Sequence, residues 1–123
     1  MKTIFFILAF ISALNAKPLW IDNPFVDGYI VGVGSSNNKN PMFKKRIAMA
    51  IARANLSEAI KVEIKTSMKI TTKKANSLNT QVSEQTIQQT TSALLVGSEI
   101  DDTYQDADGT YFVLVILNKK NLL

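Results

Sequence analysis

The chain has 123 residues, 46% of them hydrophobic, which is enough for one domain with its own core and too few for two. It contains no cysteine and no histidine, so disulfide frameworks, thiolate chemistry, Cys-ligated zinc and imidazole-dependent triads are all excluded. The formal charge of +4, from 14 basic and 10 acidic residues, is a mild excess; the bases between Lys39 and Lys74 alternate with apolar residues and lack the interleaved aromatics of a nucleic-acid groove.

Met1 to Ala16 opens with one lysine, continues through the apolar run Ile4 to Ala13 and ends on Ala16 before Lys17. It reads as a cleavable secretory signal, because the apolar run is too short to span a bilayer about 30 Å thick. Cleavage after Ala16 would remove Lys2 and leave 13 basic against 10 acidic residues, a charge of +3. The chain then divides into a signal (1–16), an N-terminal arm (17–28) and a single domain (29–123). The arm holds Pro18, Trp20, Pro24 and Gly28, and Trp20 is a core or docking anchor, since an isolated indole buries a large area at low entropic cost.

Tyr29 to Gly34 alternates as a first strand, with Gly32 and Gly34 on the side of Ile30, where a missing side chain lets the long helix approach closely. The glycines lead through Ser35 and Ser36 toward a helix and invite comparison with a dinucleotide-binding loop. Asn37 stands where the third glycine is needed, three residues intervene before Pro41, and no second βα unit with a ribose-binding acid follows. The segment is therefore a structural turn.

Asn40 followed by Pro41 is a helix start: the amide can accept from free backbone N–H groups, and proline fits the first helical position. Phe43, Ile47, Ala50, Ile51 and Ala54 share one side of this helix, and Ala48, Met49, Ala52, Leu56, Ala59 and Ile60 share nearly the opposite one. The alanine-rich side suits close packing on a sheet. Phe43, Ile47 and Ile51 are left for a second layer, supplied either by a second helix of the same chain or by a neighbouring subunit.

The helix is expected to end near Ile60, because from Val62 the pattern alternates: Val62, Ile64, Thr66, Met68, Ile70 and Thr72 against Glu63, Lys65, Ser67, Lys69, Thr71 and Lys73. That alternation predicts a half-buried strand. After a polar break, Thr80 to Leu95 is either a helix weakened by its threonines or a long extended arm, and Gly97 ends it.

Ser98 to Thr103 and Thr110 to Leu117 flank Asp106, Ala107, Asp108 and Gly109, a hairpin signal. The last strand is apolar on both faces and should be central. A calcium loop would need an acid where Tyr104 stands and a bidentate Glu where Val115 stands, so the acids form a turn. The predicted class is α+β: a single small mixed or antiparallel sheet of four strands, with one long helix and a second packed on one face.

Pro18, Leu19 and Trp20 after the signal, Gly32 to Ser36 on the first strand, Ala48, Ala52, Arg53 and Leu56 on the helix, and Tyr111 to Val115 near the end occur in a characteristic order. Together they resemble the LPP-twenty-type lipoproteins of Helicobacter and Campylobacter relatives, a family that includes a lipoprotein of the flagellar basal disk. The resemblance spans essentially the whole mature chain. It implies a small α+β domain in the periplasm or at the outer membrane, acting as a non-enzymatic building or binding module. No catalytic, cofactor-binding or metal-binding residues, nucleic acid or small-molecule substrate are expected. Members of the basal-disk kind carry a lipid-accepting cysteine and this sequence has none, so attachment through a protein partner is expected in place of a direct lipid anchor.

The expected role is a structural subunit of an envelope assembly associated with the flagellar motor or its disk. Its expected partners are further copies of itself and envelope or flagellar-disk proteins. Phe43, Ile47, Ile51 and Trp20 form the expected interface. The alternative is a secreted or surface-associated adhesin or effector that binds host components. Ser35, Glu58 and Asp101 could do acid–base work, but nothing in the sequence pairs them.

Overall fold

Asn40 starts the long helix as its residue type suggests: its side-chain oxygen accepts from the backbone N–H groups of Met42 (3.0 Å) and Phe43 (3.3 Å). The computed structural model describes residues 17–75 and 84–122; the signal segment 1–16 lies outside them. In chain order the elements are a short helix α1 (Leu19–Asp22), strand β1 (Tyr29–Ser36), helix α2 (Pro41–Ala75), helix α3 (Glu84–Leu95), strands β2 (Glu99–Gln105) and β3 (Tyr111–Asn118), and a 3-10 turn (Lys119–Leu122).

The strand predicted over residues 62–73 is not formed, because α2 runs without interruption to Ala75. Val62 and Ile64 decide the matter: on a strand they would share a face, whereas here Val62 is 62% exposed and Ile64 packs against the core. Leu56, Ile60 and Ile64 recur every fourth residue, so the helical period continues beneath the alternation. No Gly or Pro interrupts the helix after Ile60, and extending a formed helix costs only one ordered residue at a time. The basic residues expected on a solvated strand face lie instead along this helix; among them Lys65 pairs with Glu84 at 3.7 Å.

The described residues therefore hold three strands rather than four, in the order β1-β3-β2, and every pairing is antiparallel. β3 is central, as its apolar sequence predicts, and Val113 through Leu117 are all buried. Val113, Val115 and Leu117 face α2 and form one cluster with Ile30, Ala48, Ala52, Leu56 and Ile60. The hairpin between β2 and β3 closes where the acids predicted it, with Gly109 at φ +92°. Thr110 N donates to Asp108 Oδ1 (2.9 Å), and this hydrogen bond holds the Asp108 carboxyl below its usual pKa.

Gly32 and Gly34 do what a bare strand side suggests. A Cβ on Gly32 would overlap Ala52 O and Leu56 N, and one on Gly34 would overlap Ala48 O and Ala52 N, so α2 lies directly on β1. The helix has 35 residues and is about 52 Å long, against roughly 27 Å for an eight-residue strand, so it outruns the sheet. Its overhanging end meets α3, which is a helix and not an extended arm over the described part of its segment. In α3 Ile87 and Thr91 are buried, and Thr91 Oγ1 donates to Ile87 O (2.7 Å).

Candidate functional site

Phe43, Ile47 and Ile51 form a ridge on α2 at four-residue spacing. They stay 51%, 38% and 40% exposed, so α3 does not cover them. The next residue on the same row, Asn55, fixes where the ridge lies, because its Nδ2 donates to Val33 O at 2.6 Å. Lys119 N donates to Gly28 O beyond the end of the β1–β3 ladder. By antiparallel alternation Ile30, Gly32 and Gly34 then bond to β3, while Val31, Val33 and Ser35 turn their backbone groups outward. The ridge therefore runs along the open outer edge of β1. Lys44 Nζ anchors the start of the helix by donating to Gly109 O (2.7 Å) at the hairpin tip.

Trp20 lies elsewhere. Its Nε1 donates to Asp102 Oδ2 at 3.0 Å, and Asp102 stands opposite Leu114, whose side chain points away from α2. Lys17 Nζ sits 5.9 Å from the centre of the Phe112 ring on that same side. The N-terminal arm thus straps the back of the sheet, where Leu114 and Ile116 are buried, and Trp20 is its half-buried buckle. The fold does not bring Trp20 together with Phe43, Ile47 and Ile51. Trp20→Phe, which keeps a ring but loses the N–H, is expected to lower stability by about 1 kcal/mol, and Trp20→Ala by ~2 kcal/mol, in urea unfolding. Equal losses would mean that the indole contributes a hydrogen bond and no packing.

Two features of this surface carry no local sequence signal. Asn55 looks like any polar residue on a helix until the edge of β1 is placed beside it. Ile100 faces the same side of the sheet as Val115, yet it is 48% exposed, because α2 covers β1 and β3 and leaves β2 bare.

Two concavities among the described residues lack reactive groupings. A cleft of roughly 260 Å3 between Tyr29, Glu99, Ile116 and Asn118 holds one carboxylate, and an open hollow along α3 is lined by Glu84, glutamines and Ser92. Among the described residues no three acidic groups are gathered closely enough to hold a metal ion, and no helix is long and apolar enough to cross a membrane. Ser35, Glu58 and Asp101 lie on β1, α2 and β2 respectively, and Glu58 is engaged by Lys61 at 3.4 Å.

A three-stranded antiparallel sheet under one long helix, strapped behind by its N-terminal arm and exposing an apolar ridge, defines a small α+β module. The chain belongs to the LPP20 lipoprotein family, whose profile matches residues 18–118. The match begins at the arm and ends with β3, so the strap, the sheet and the ridge all lie within it. No curated protein matches the chain. Membership places the protein among exported, envelope-associated proteins, and the family is not a known family of enzymes.

Proposed function

We propose that the protein is a non-enzymatic assembly subunit of the cell envelope, associated with the flagellar motor or its basal disk. It would work in the periplasm, attached to the outer membrane through protein partners. The observation that carries this reading is the ridge of Phe43, Ile47 and Ile51, three large apolar side chains in a row on α2 that α3 leaves exposed. Contiguous apolar surface of this kind usually marks a partner site. The flagellar association draws its support from the resemblance to a family that includes a lipoprotein of the flagellar basal disk. Attachment through protein accords with a sequence whose 123 residues contain no thiol to accept a lipid.

Ile51→Lys tests the reading. Ile51 is on the surface, so the variant should melt within about 1 kcal/mol of the parent. A lysine at the centre of an apolar contact must be desolvated without a counter-charge, so association should weaken by at least ~2 kcal/mol. Light scattering and thermal melting of both proteins read the two effects separately. A parent that stays monomeric at high concentration and retains no flagellar-disk or envelope partner in a pull-down from its own cells would sink the proposal.

A further inference from the structure

The two open edges of the sheet differ in cover and in charge. At the β1 edge α2 overhangs, presenting Phe43, Ile47 and Ile51 beside backbone groups of Val31 and Ser35 that face away from β3. At the β2 edge the helix is missing and Ile100 lies bare on the side of the sheet that α2 covers elsewhere. Between Asp27 and Glu58 the chain carries Lys39, Lys44, Lys45, Arg46 and Arg53 and no acid; between Lys74 and Lys119 it carries six acids, five of them from Glu99 to Asp108, and no base. Lys44 and Lys45 turn to the other side of the helix, where Lys44 Nζ donates to Gly109 O and Lys45 Nζ lies 5.8 Å from the centre of the Tyr111 ring. One edge therefore has an apolar overhang on a helix stretch free of acids, and the other has an uncovered apolar side chain on an acidic strand.

We propose that β2 of one copy docks under the overhanging ridge of α2 in a second copy, head to tail, with Ile100 against Ile47 and Ile51. This deepens the assembly reading and rests on it. Charge selects the pairing, because two β2 edges would bring acid against acid, whereas the ridge lies on a helix stretch with no acid between Pro41 and Ser57 and so presents none to β2. The irregularity between Ile100 and Asp102 and the carboxylates of β2 guard that edge against indiscriminate strand addition. Asn55 already occupies Val33 O, so side chains under the overhang carry the contact more than a continuous backbone ladder does. A contact between unlike surfaces leaves a free edge on each end copy, and its repetition gives a ring if the rotation closes or a filament if it does not.

The test uses sedimentation velocity on the full protein recovered from exporting cells, with Ile47→Asp and Ile100→Asp made singly. Each should melt like the parent and weaken self-association about 100-fold, as loss of a central contact residue does. Mixed one to one, the two variants should form a dimer and stop there, because each supplies one intact edge. If Ile100→Asp melts early, Asp101→Lys on the exposed bulge replaces it, and about tenfold weaker association at low salt is expected. Association that ignores both β2 substitutions, or a mixture that remains monomeric, would overturn the head-to-tail geometry while leaving assembly through the ridge in place. A parent that never associates would overturn both.

Discussion

Gly34→Val is expected to abolish the folded state at ordinary temperature. The first added carbon would overlap Ala48 O and Ala52 N and come within 2.9 Å of Ala52 Cα, all of them backbone atoms of α2. A flexible side chain could move aside, but a helix backbone moves only as a rod. The whole helix would have to lift from β1, opening the seam in which Ala48, Ala52, Leu56 and Ile60 are wholly buried. Overpacking of a core costs typically ~1–3 kcal/mol where neighbours can adjust, and here they cannot, so the loss should exceed that range and approach the roughly 5–15 kcal/mol that holds a domain together. Circular dichroism and urea unfolding measure it. A Gly34→Val protein that melted with the parent would mean that α2 is not seated on this strand.

Val113→Asp should be comparably severe for a different reason. Val113 is 1% exposed, pairs with Gly34 on one side and Thr103 on the other, and belongs to the cluster under α2. A carboxylate there loses its hydration without gaining a partner, at a cost of several kcal/mol. The effect carries a pH signature. Burial raises the pKa of the introduced acid in the folded state above its value of about 3.9 in the unfolded chain, so the destabilisation is fully present above the folded pKa and fades as pH falls through it. Urea midpoints of variant and parent should therefore converge toward acid pH. A difference that stayed constant with pH would show that the aspartate is solvated and that β3 is open on that side.

What could be read in the sequence was local. Asn40 with Pro41 marks a cap through a contact two and three residues away, and the acids and Gly109 mark a turn closed within five residues. Gly32 and Gly34 could be matched to the Ala48, Ala52, Leu56 row because a strand side without side chains and a helix side with short ones fit each other. The misreading after Ile60 was also local. Alternation every second residue includes every fourth, so Ile60 and Ile64 satisfy a strand and a helix equally, and only the exposure of Val62 separates them. The remainder depends on partners far along the chain. That Trp20 would meet Asp102, that Asn55 would reach an edge carbonyl and that Ile100 would lie uncovered follow from the strand order, which no single segment encodes.

The strand order also bears on how such a protein can be made and exported. Among the described residues β3 follows both other strands in sequence, yet each of them pairs only with it, and its register joins Tyr29 to Asn118 across 89 positions (118 − 29). Until Tyr111–Asn118 emerges, neither β1 nor β2 has a neighbour, and the apolar row of α2 has no complete floor to settle on. Closing so long a loop is entropically costly and slow, so sheet formation waits for β3. Until β3 is made, a nascent chain of this design keeps its strands unpaired, a form that can still be threaded through a translocation channel. The same topology lets it fold abruptly once the last strand has crossed.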